Sequence, residues 1–349
     1  MGRTMKAFVA EGPGRASFRT VDIPELGARD ILVKVKYAGI CGTDYAIFSG
    51  KCSFIEKGQI QYPVRFGHEW SGVVEAAGSG VTRFQTGDRV IGDNLVCCNQ
   101  CPACQKGDYD NCTDKRCVGT IRCWDGSFAE YIVMPEWHLH HLNPQVGLRE
   151  AALGEPLSVA YGAVKNMDIT ENSTVAVIGT GCIGMAAAAL AAHKRAKKVI
   201  MLGRNPFKLE IALKVGASET INTREEDAET AIMRLTEGKG ADFVIECSGV
   251  PSTIMQAVKI SANHASIGLI GFYECNIDDV DIDLFVSKQL KLFGVMGEFE
   301  NLRAVNEILH ELKISDVITS EIPFEDCLSA FADEKKYHGT NIKTILCFD

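Results

Sequence analysis

Over the first 144 positions, apolar and polar residues alternate in short runs broken by glycines. "DILVKVKYAGICGTD" alternates through its middle and ends in a glycine-flanked turn at Cys41, and "SGVVEAAGSGV" and "GDRVIGD" are further units of the same kind. A period of two with glycine turns predicts strands, so this part reads as mostly β. The pattern changes near Thr174. "STVAVIGTG" predicts a buried strand and the alanine-rich "CIGMAAAALAAHKRA" a helix; "KKVIMLG", "ETINT", "DFVIECSG" and "HASIGLIGF" predict more strands, with helical stretches such as "PFKLEIALKVGA" between them. Strands alternating with helices of about ten to fifteen residues predict a parallel, doubly wound sheet. After it, "ENLRAVNEILHEL" predicts a helix and "NIKTILCF" a closing strand that returns to the first domain.

Composition narrows the function classes. A chain of 349 residues suits two domains, and 46% hydrophobic with 23% charged residues is ordinary globular material. The formal net charge of −9 counts against a nucleic-acid partner. No stretch of eighteen uninterrupted apolar residues is present, so no membrane span is expected; "AVIGTGCIGMAAAALAA" comes nearest but contains three glycines. "MGRTMKAFVAEGPG" lacks an apolar signal core and reads as a first strand. The fourteen cysteines are clustered rather than spread. That favours thiols used as metal ligands or core filler in a reducing compartment, and the cytoplasm is expected.

Five of those cysteines fall in "CCNQCPACQKGDYDNC", from Cys97 to Cys112. Cys98, Cys101, Cys104 and Cys112 form C-x2-C-x2-C-x7-C. Three thiolates at two-residue gaps can wrap one ion, and a fourth after a loop closes a tetrahedron, as in a structural Zn2+ site. Buried or disulfide-linked cysteines and a four-iron cluster are the alternatives, although the spacing differs from the ferredoxin run. Cys97 is left over as a non-ligand. A closed four-thiolate site has no open position, so the chemistry is expected elsewhere.

Two further patterns supply candidates. "GICGTD", "GHEW" and "GEPLSVAYGAV" each offer metal-binding side chains, namely Cys41, His68 with Glu69, and Glu155. "VIGTGCIG" places Gly179, Gly181 and Gly184 in G-x-G-x-x-G, with Cys182 and Ile183 inside the loop. It follows an apolar strand and opens a helix, the context of a dinucleotide site whose pyrophosphate sits at the helix N-terminus. An NAD site normally ends its second strand with an acid that binds the ribose diol. Here Gly203 stands at that place, followed by Arg204 and, one helical turn on, Lys208. Loss of the acid removes repulsion and leaves space, and the cations suit a 2′-phosphate, so NADP(H) is expected over NAD(H).

"GICGTD", "GHEWSGVVEAAGSGV", "GDRV", the Cys98–Cys112 stretch, "GEPLSVA" and "VIGTGCIG" occur together in one order over nearly the whole chain. In that order the chain resembles the zinc-dependent medium-chain dehydrogenases. The resemblance implies an α/β protein with a β-rich, GroES-like catalytic domain over residues 1–160, carrying a structural-zinc lobe at 92–117. A Rossmann cofactor domain over 161–297 and a return to the catalytic domain over 298–349 would follow. It implies one catalytic and one structural Zn2+ per chain. Cys41, His68 and Glu155 would bind the catalytic ion, with Glu69 an alternate ligand or close carboxylate. Thr43 would be the hydroxyl that bonds the reacting oxygen and starts a proton relay, and Asp44 a brace for the loop. Glu155 resembles the branch acting on polyols and sugars, since simple-alcohol enzymes carry cysteine there. Ala46 stands where threonine dehydrogenases carry histidine, and "FGVMGEF" lacks the aromatic–arginine pair of many polyol enzymes. The implied substrate is a small alcohol or ketone of a polyol, cyclitol or sugar derivative. The alternatives are a threonine- or simple-alcohol dehydrogenase using NAD and a non-enzymatic zinc-binding module. A homo-tetramer or homo-dimer is expected, from the apolar strands "ASIGLIGF" and "LKLFGVMG".

Overall fold

The computed structural model describes residues 3–278, 280–332 and 339–349. The chain divides into two compact units, one made of Met1–Glu155, Glu298–His310 and Ser320–Asp349, the other of Pro156–Gly297 and Glu311–Thr319.

The first unit is β-rich. The strands Leu139–His141, Arg89–Gly92, Glu69–Ala77, Asp30–Ile40 and Lys343–Cys347 are successive antiparallel neighbours, and Tyr131–Pro135 also pairs with Asp30–Ile40. A smaller sheet joins Arg15–Asp22, Thr4–Gly12 and Val64–Arg65. The alternation read along "LVKVK" is the cause: Val33 and Val35 are buried while Lys34 between them is not. The core is aromatic, with the Phe66 ring stacked 5.4 Å from Phe331 and 5.8 Å from Phe8.

The second unit holds six parallel strands in the order Glu219–Asn222, Lys198–Gly203, Thr174–Ile178, Ala241–Glu246, Ser261–Leu269, Lys291–Gly294. The first of these six strands in chain order, Thr174–Ile178, lies at the centre, and successive strands run outward on either side. The order reverses between it and Ala241–Glu246, and cofactors bind outside the strand ends at such a switch point. The apolar run "TVAVI" is buried from Val175 to Ile178, as a strand covered on both faces requires. Helix Cys182–His193 buries every residue from Gly184 to Leu190 and Ala191, its alanines allowing close approach to the sheet. The expected α/β class, a β-rich domain plus a doubly wound parallel sheet, is therefore the one adopted. Among the described residues no helix is long and apolar enough to cross a membrane.

Candidate active site and metal centres

The strands Leu95–Val96 and Arg116–Cys117 pair as a short ribbon and bring the two ends of the cysteine-rich stretch together. Asn99 takes a left-handed φ of 54°, which turns the chain between Cys98 and Cys101. The sulfurs of Cys98, Cys101, Cys104 and Cys112 all lie within 4.8 Å of one another. Cys112 Sγ is 3.6 Å from Cys98 Sγ and accepts the Cys98 N–H at 3.4 Å. Backbone N–H groups of Cys104 and Thr113 pull the Cys101 thiol down to about 5, while burial pushes the Cys104 and Cys112 thiols up. Cys97 stands apart from the four: its N–H donates to His138 Nε2 at 2.9 Å, and its sulfur lies 3.1 Å from the same nitrogen.

The second cluster forms where three neighbouring strands end together. Cys41 follows Asp30–Ile40, Glu69 opens Glu69–Ala77 and Lys343 opens Lys343–Cys347. The register sets Gly39 opposite Glu69 and Ile40 opposite Thr344. A Cβ on Gly39 would lie 2.0 Å from Glu69 Oε2, so this glycine makes room for the carboxylate. Gly67, at φ +88°, turns the chain so that His68 enters the interior. Cys41, His68 and Glu69 offer ligand atoms within 4.8 Å of one another. Glu155, in the first turn of helix Gly154–Lys165, lies outside that group, and its Oε1 accepts a hydrogen bond from Asn94 Nδ2. Burial pushes the Glu155 carboxyl up to about 7, with His68 opposing the rise and Glu69 adding to it. Thr43 Oγ1 is 3.8 Å from Cys41 Sγ on helix Gly42–Ser49.

Asp44 braces this loop. Its carboxylate is fully buried and accepts the Cys41 N–H at 2.9 Å and the Gly67 N–H at 3.4 Å. Its Oδ1 lies 3.7 Å from His68 Nδ1, an otherwise unpartnered buried nitrogen. Burial disfavours charge on His68, but Asp44 and the Cys41 sulfur outweigh it and raise the imidazole well above its ordinary range. Nothing in the sequence pattern singled out Lys343 or Asn94. Lys343 Nζ is 2.7 Å from both Glu69 oxygens and donates to Ile40 O at 3.1 Å. A lysine at the head of the apolar "KTILC" is the one available signal, because a charge there needs a buried partner.

The donor chemistry fits two metal ions. One set is four thiols; the other is a thiol, an imidazole and a carboxylate. Around the second set, Asp44, Glu69 and Glu155 are buried with His68 and Lys343 as the cations. A dication offsets such a buried excess of acid. Removing the lysine should therefore expose the imbalance. Lys343→Met is expected to lower unfolding free energy by about 3 kcal/mol, the scale for breaking a buried ion pair from one side, read by denaturant titration against Lys343→Arg.

The glycine loop fits a dinucleotide in three separate ways. Gly179 has φ +109°. Gly181 has no atom within 4 Å of its added Cβ, and so leaves open approach. A Cβ on Gly184 would lie 1.9 Å from Gly179 O, so the helix packs against its own loop. Cys182 and Ile183 begin the helix, half-buried. At the end of the next strand, Gly203 is followed by exposed Arg204, and Asn205 caps helix Pro206–Val215 by accepting the Lys208 N–H at 3.4 Å. Lys208 is half-buried, and burial lowers its pKa. The space expected beside Gly203 is not empty: Thr180 Cγ2 occupies it, 2.3 Å from an added Cβ.

The pattern of the alcohol dehydrogenase GroES-like domain matches residues 27–144, and that of the zinc-binding dehydrogenases matches residues 182–311. An L-threonine 3-dehydrogenase of Symbiobacterium thermophilum is 36% identical over 85% of this chain and 84% of its own. A sorbitol dehydrogenase of Halalkalibacterium halodurans is 30% identical over 98% of this chain and 99% of its own. Among solved structures, a zinc-binding dehydrogenase from Sinorhizobium meliloti bound to NADP superposes with a TM-score of 0.89 at 29% identity, covering 99% of each chain. An alcohol dehydrogenase from Escherichia coli complexed with NADH does so with a TM-score of 0.87 at 30% identity, covering 99% of this chain and 100% of that one.

Proposed function

The chain belongs to the zinc-dependent medium-chain dehydrogenases and is an oxidoreductase of the alcohol and polyol type; from that premise we propose that it transfers a hydride between NADP(H) and the secondary alcohol or ketone of a polyol, cyclitol or sugar derivative. The observation that carries this reading is the buried convergence of Cys41, His68 and Glu69, with Glu155 nearby and the Thr43 hydroxyl 3.8 Å from the thiol. A zinc ion held by Cys41, His68 and Glu69 or Glu155 supplies a Lewis acid for the alcohol oxygen, and a bound nicotinamide supplies the hydride acceptor. The Thr43 hydroxyl bonds the alcohol oxygen and starts a proton relay: it accepts the alcohol proton only as it passes its own on toward solvent. Asp44 orients His68, and Lys343 holds the Glu69 carboxylate in place. Cys98, Cys101, Cys104 and Cys112 hold a second zinc that stabilises their lobe.

Glu155, in place of a cysteine, supports the polyol side of the family. Oxidation of L-threonine is the second reading, favoured by the 36% identity to an enzyme of that name and opposed by Ala46. The NADP preference rests on the missing acid at 203 and on Arg204 and Lys208. The test is a panel of sugar alcohols, cyclitols, keto-sugars and L-threonine, followed by nicotinamide absorbance with each cofactor. Turnover of polyols with at least about tenfold higher kcat/KM for NADP supports the proposal, on the scale of one lost charge-assisted contact. Preference for L-threonine would remove the substrate class, and tenfold preference for NAD would remove the cofactor assignment.

We place subunit pairing at the sheet edge formed by Lys291–Gly294. Leu292 and Met296, with Ile282 and Val286 on the preceding helix, are between 47% and 64% exposed, and among the described residues the strand pairs on one side only, with Ser261–Leu269. A dimer or tetramer mass is expected in solution at micromolar concentration, and a monomer mass would contradict it. The clustering of the fourteen cysteines, with five of them assigned to zinc, suits the cytoplasm.

A further inference from the structure

Gly203 has no backbone reason to be glycine, since its φ is not in the left-handed region. Its reason is a neighbour. A Cβ there would lie 2.3 Å from Thr180 Cγ2, 3.1 Å from Thr180 Oγ1 and 3.3 Å from Leu209 Cδ2. Thr180 is the residue between Gly179 and Gly181, in the loop that would face the pyrophosphate.

We infer that Thr180 and Gly203 act as one steric unit that decides which adenosine ribose the site accepts: the Thr180 side chain occupies the place from which an acid at 203 would reach the ribose diol. This rests on the cofactor reading above and deepens it, because it gives Thr180 a share in the discrimination.

The strand cannot yield to relieve the clash. Leu202 pairs with Ile178 on one side and Gly203 with Asn222 on the other. Gly203 O accepts the Thr223 N–H at 2.8 Å and the Thr223 hydroxyl at 3.3 Å, while Leu202 O accepts the Gly179 N–H at 3.0 Å. Leu209 is buried and blocks retreat toward helix Pro206–Val215. Rotating Thr180 helps little. A threonine has three staggered χ1 arrangements, and two of them put a heavy atom where Cγ2 now sits. The third moves the methyl to the place the hydroxyl now holds, still tight against a Cβ. Removing both γ atoms relieves the contact, because every other atom of Thr180 lies no nearer than the 3.3 Å of Leu209 Cδ2. Thr180→Ala is thus the relieving change. An acid at 203 can adopt a diol-binding pose only when residue 180 places no γ atom toward it, as alanine and glycine ensure.

The test is calorimetric titration of the zinc-loaded chain, without substrate, using ADP-ribose and 2′-phospho-ADP-ribose as probes. The proteins are the parent, Thr180→Ala, Gly203→Asp and the double variant. Gly203→Asp alone is expected to lose the phosphorylated probe and gain little for ADP-ribose. The double variant should bind ADP-ribose about tenfold more tightly than Gly203→Asp, a coupling typical of residues in contact. Equal ADP-ribose affinity in the single and double variants overturns the inference. A parent that prefers ADP-ribose overturns the NADP reading instead, and leaves the comparison between single and double intact. Should Gly203→Asp not fold, thermal melting of Gly203→Ala with and without Thr180→Ala decides. A lowered Tm restored by the second change supports the steric unit, and strictly additive effects overturn it.

Discussion

His68→Ala is expected to abolish turnover, by roughly 10⁴-fold or more, while the cysteine-rich lobe keeps its metal. The size follows from losing a Lewis acid worth several kcal/mol in the transition state. His68 is buried, flanked by Cys41 and Glu69 within 4.8 Å, with Asp44 behind it. Among the described residues no other imidazole belongs to that group. Metal analysis should fall from two zinc ions per chain to one. Cys112→Ser should do the reverse in kind: it opens the four-thiol cage, so stability and zinc content fall together, and the surviving folded molecules keep their chemistry. Cys41→Ser, which preserves volume, separates loss of metal from loss of packing. If the parent itself contains fewer than two zinc ions after careful preparation, the two-site assignment fails. If His68→Ala retains near-parental kcat/KM, the second cluster is not where the reaction occurs.

Thr43→Val should lower kcat/KM by roughly 10²–10⁴, the usual range for acid–base catalysis by a positioned group. Valine keeps the branched shape, so helix Gly42–Ser49 and the Cys41 turn should persist, and the change isolates the hydroxyl. Thr43→Ser restores the hydroxyl and should recover much of the rate. Steady-state kinetics with one working alcohol, measured across pH for all three proteins, reads the effect. A structural role would perturb Val and Ser variants alike; a proton-relay role separates them. Equal activity in Thr43→Val and the parent would remove Thr43 from the mechanism.

The parts legible in the sequence are those whose reach is short. Four cysteines within fifteen residues can meet only through a tight loop, and so their spacing already encoded a cage. Alternation with period two against period 3.6 separated the β-rich unit from the doubly wound one, because burial of one face imposes those periods. Three glycines in G-x-G-x-x-G after an apolar strand marked the candidate cofactor loop for the same local reason. Cys41, His68 and Glu155 could be brought together on paper only by resemblance, since each short motif is uninformative alone.

Tertiary structure decided the rest. Lys343 meets Glu69 across 274 positions of sequence separation, and Asn94 meets Glu155 across 61. Asp44 reaches the Gly67 N–H across 23. The first of these depends on strand register, where a slip of one residue would turn every side chain to the other face. The Glu155 carboxylate stands beside the Cys41–His68–Glu69 group rather than within it, an arrangement set by where helix Gly154–Lys165 begins. The sequence also made Gly203 look like open space. Adjacent parallel strands carry their following loops to the same end of the sheet, and so Thr180, twenty-three residues away, fills that space.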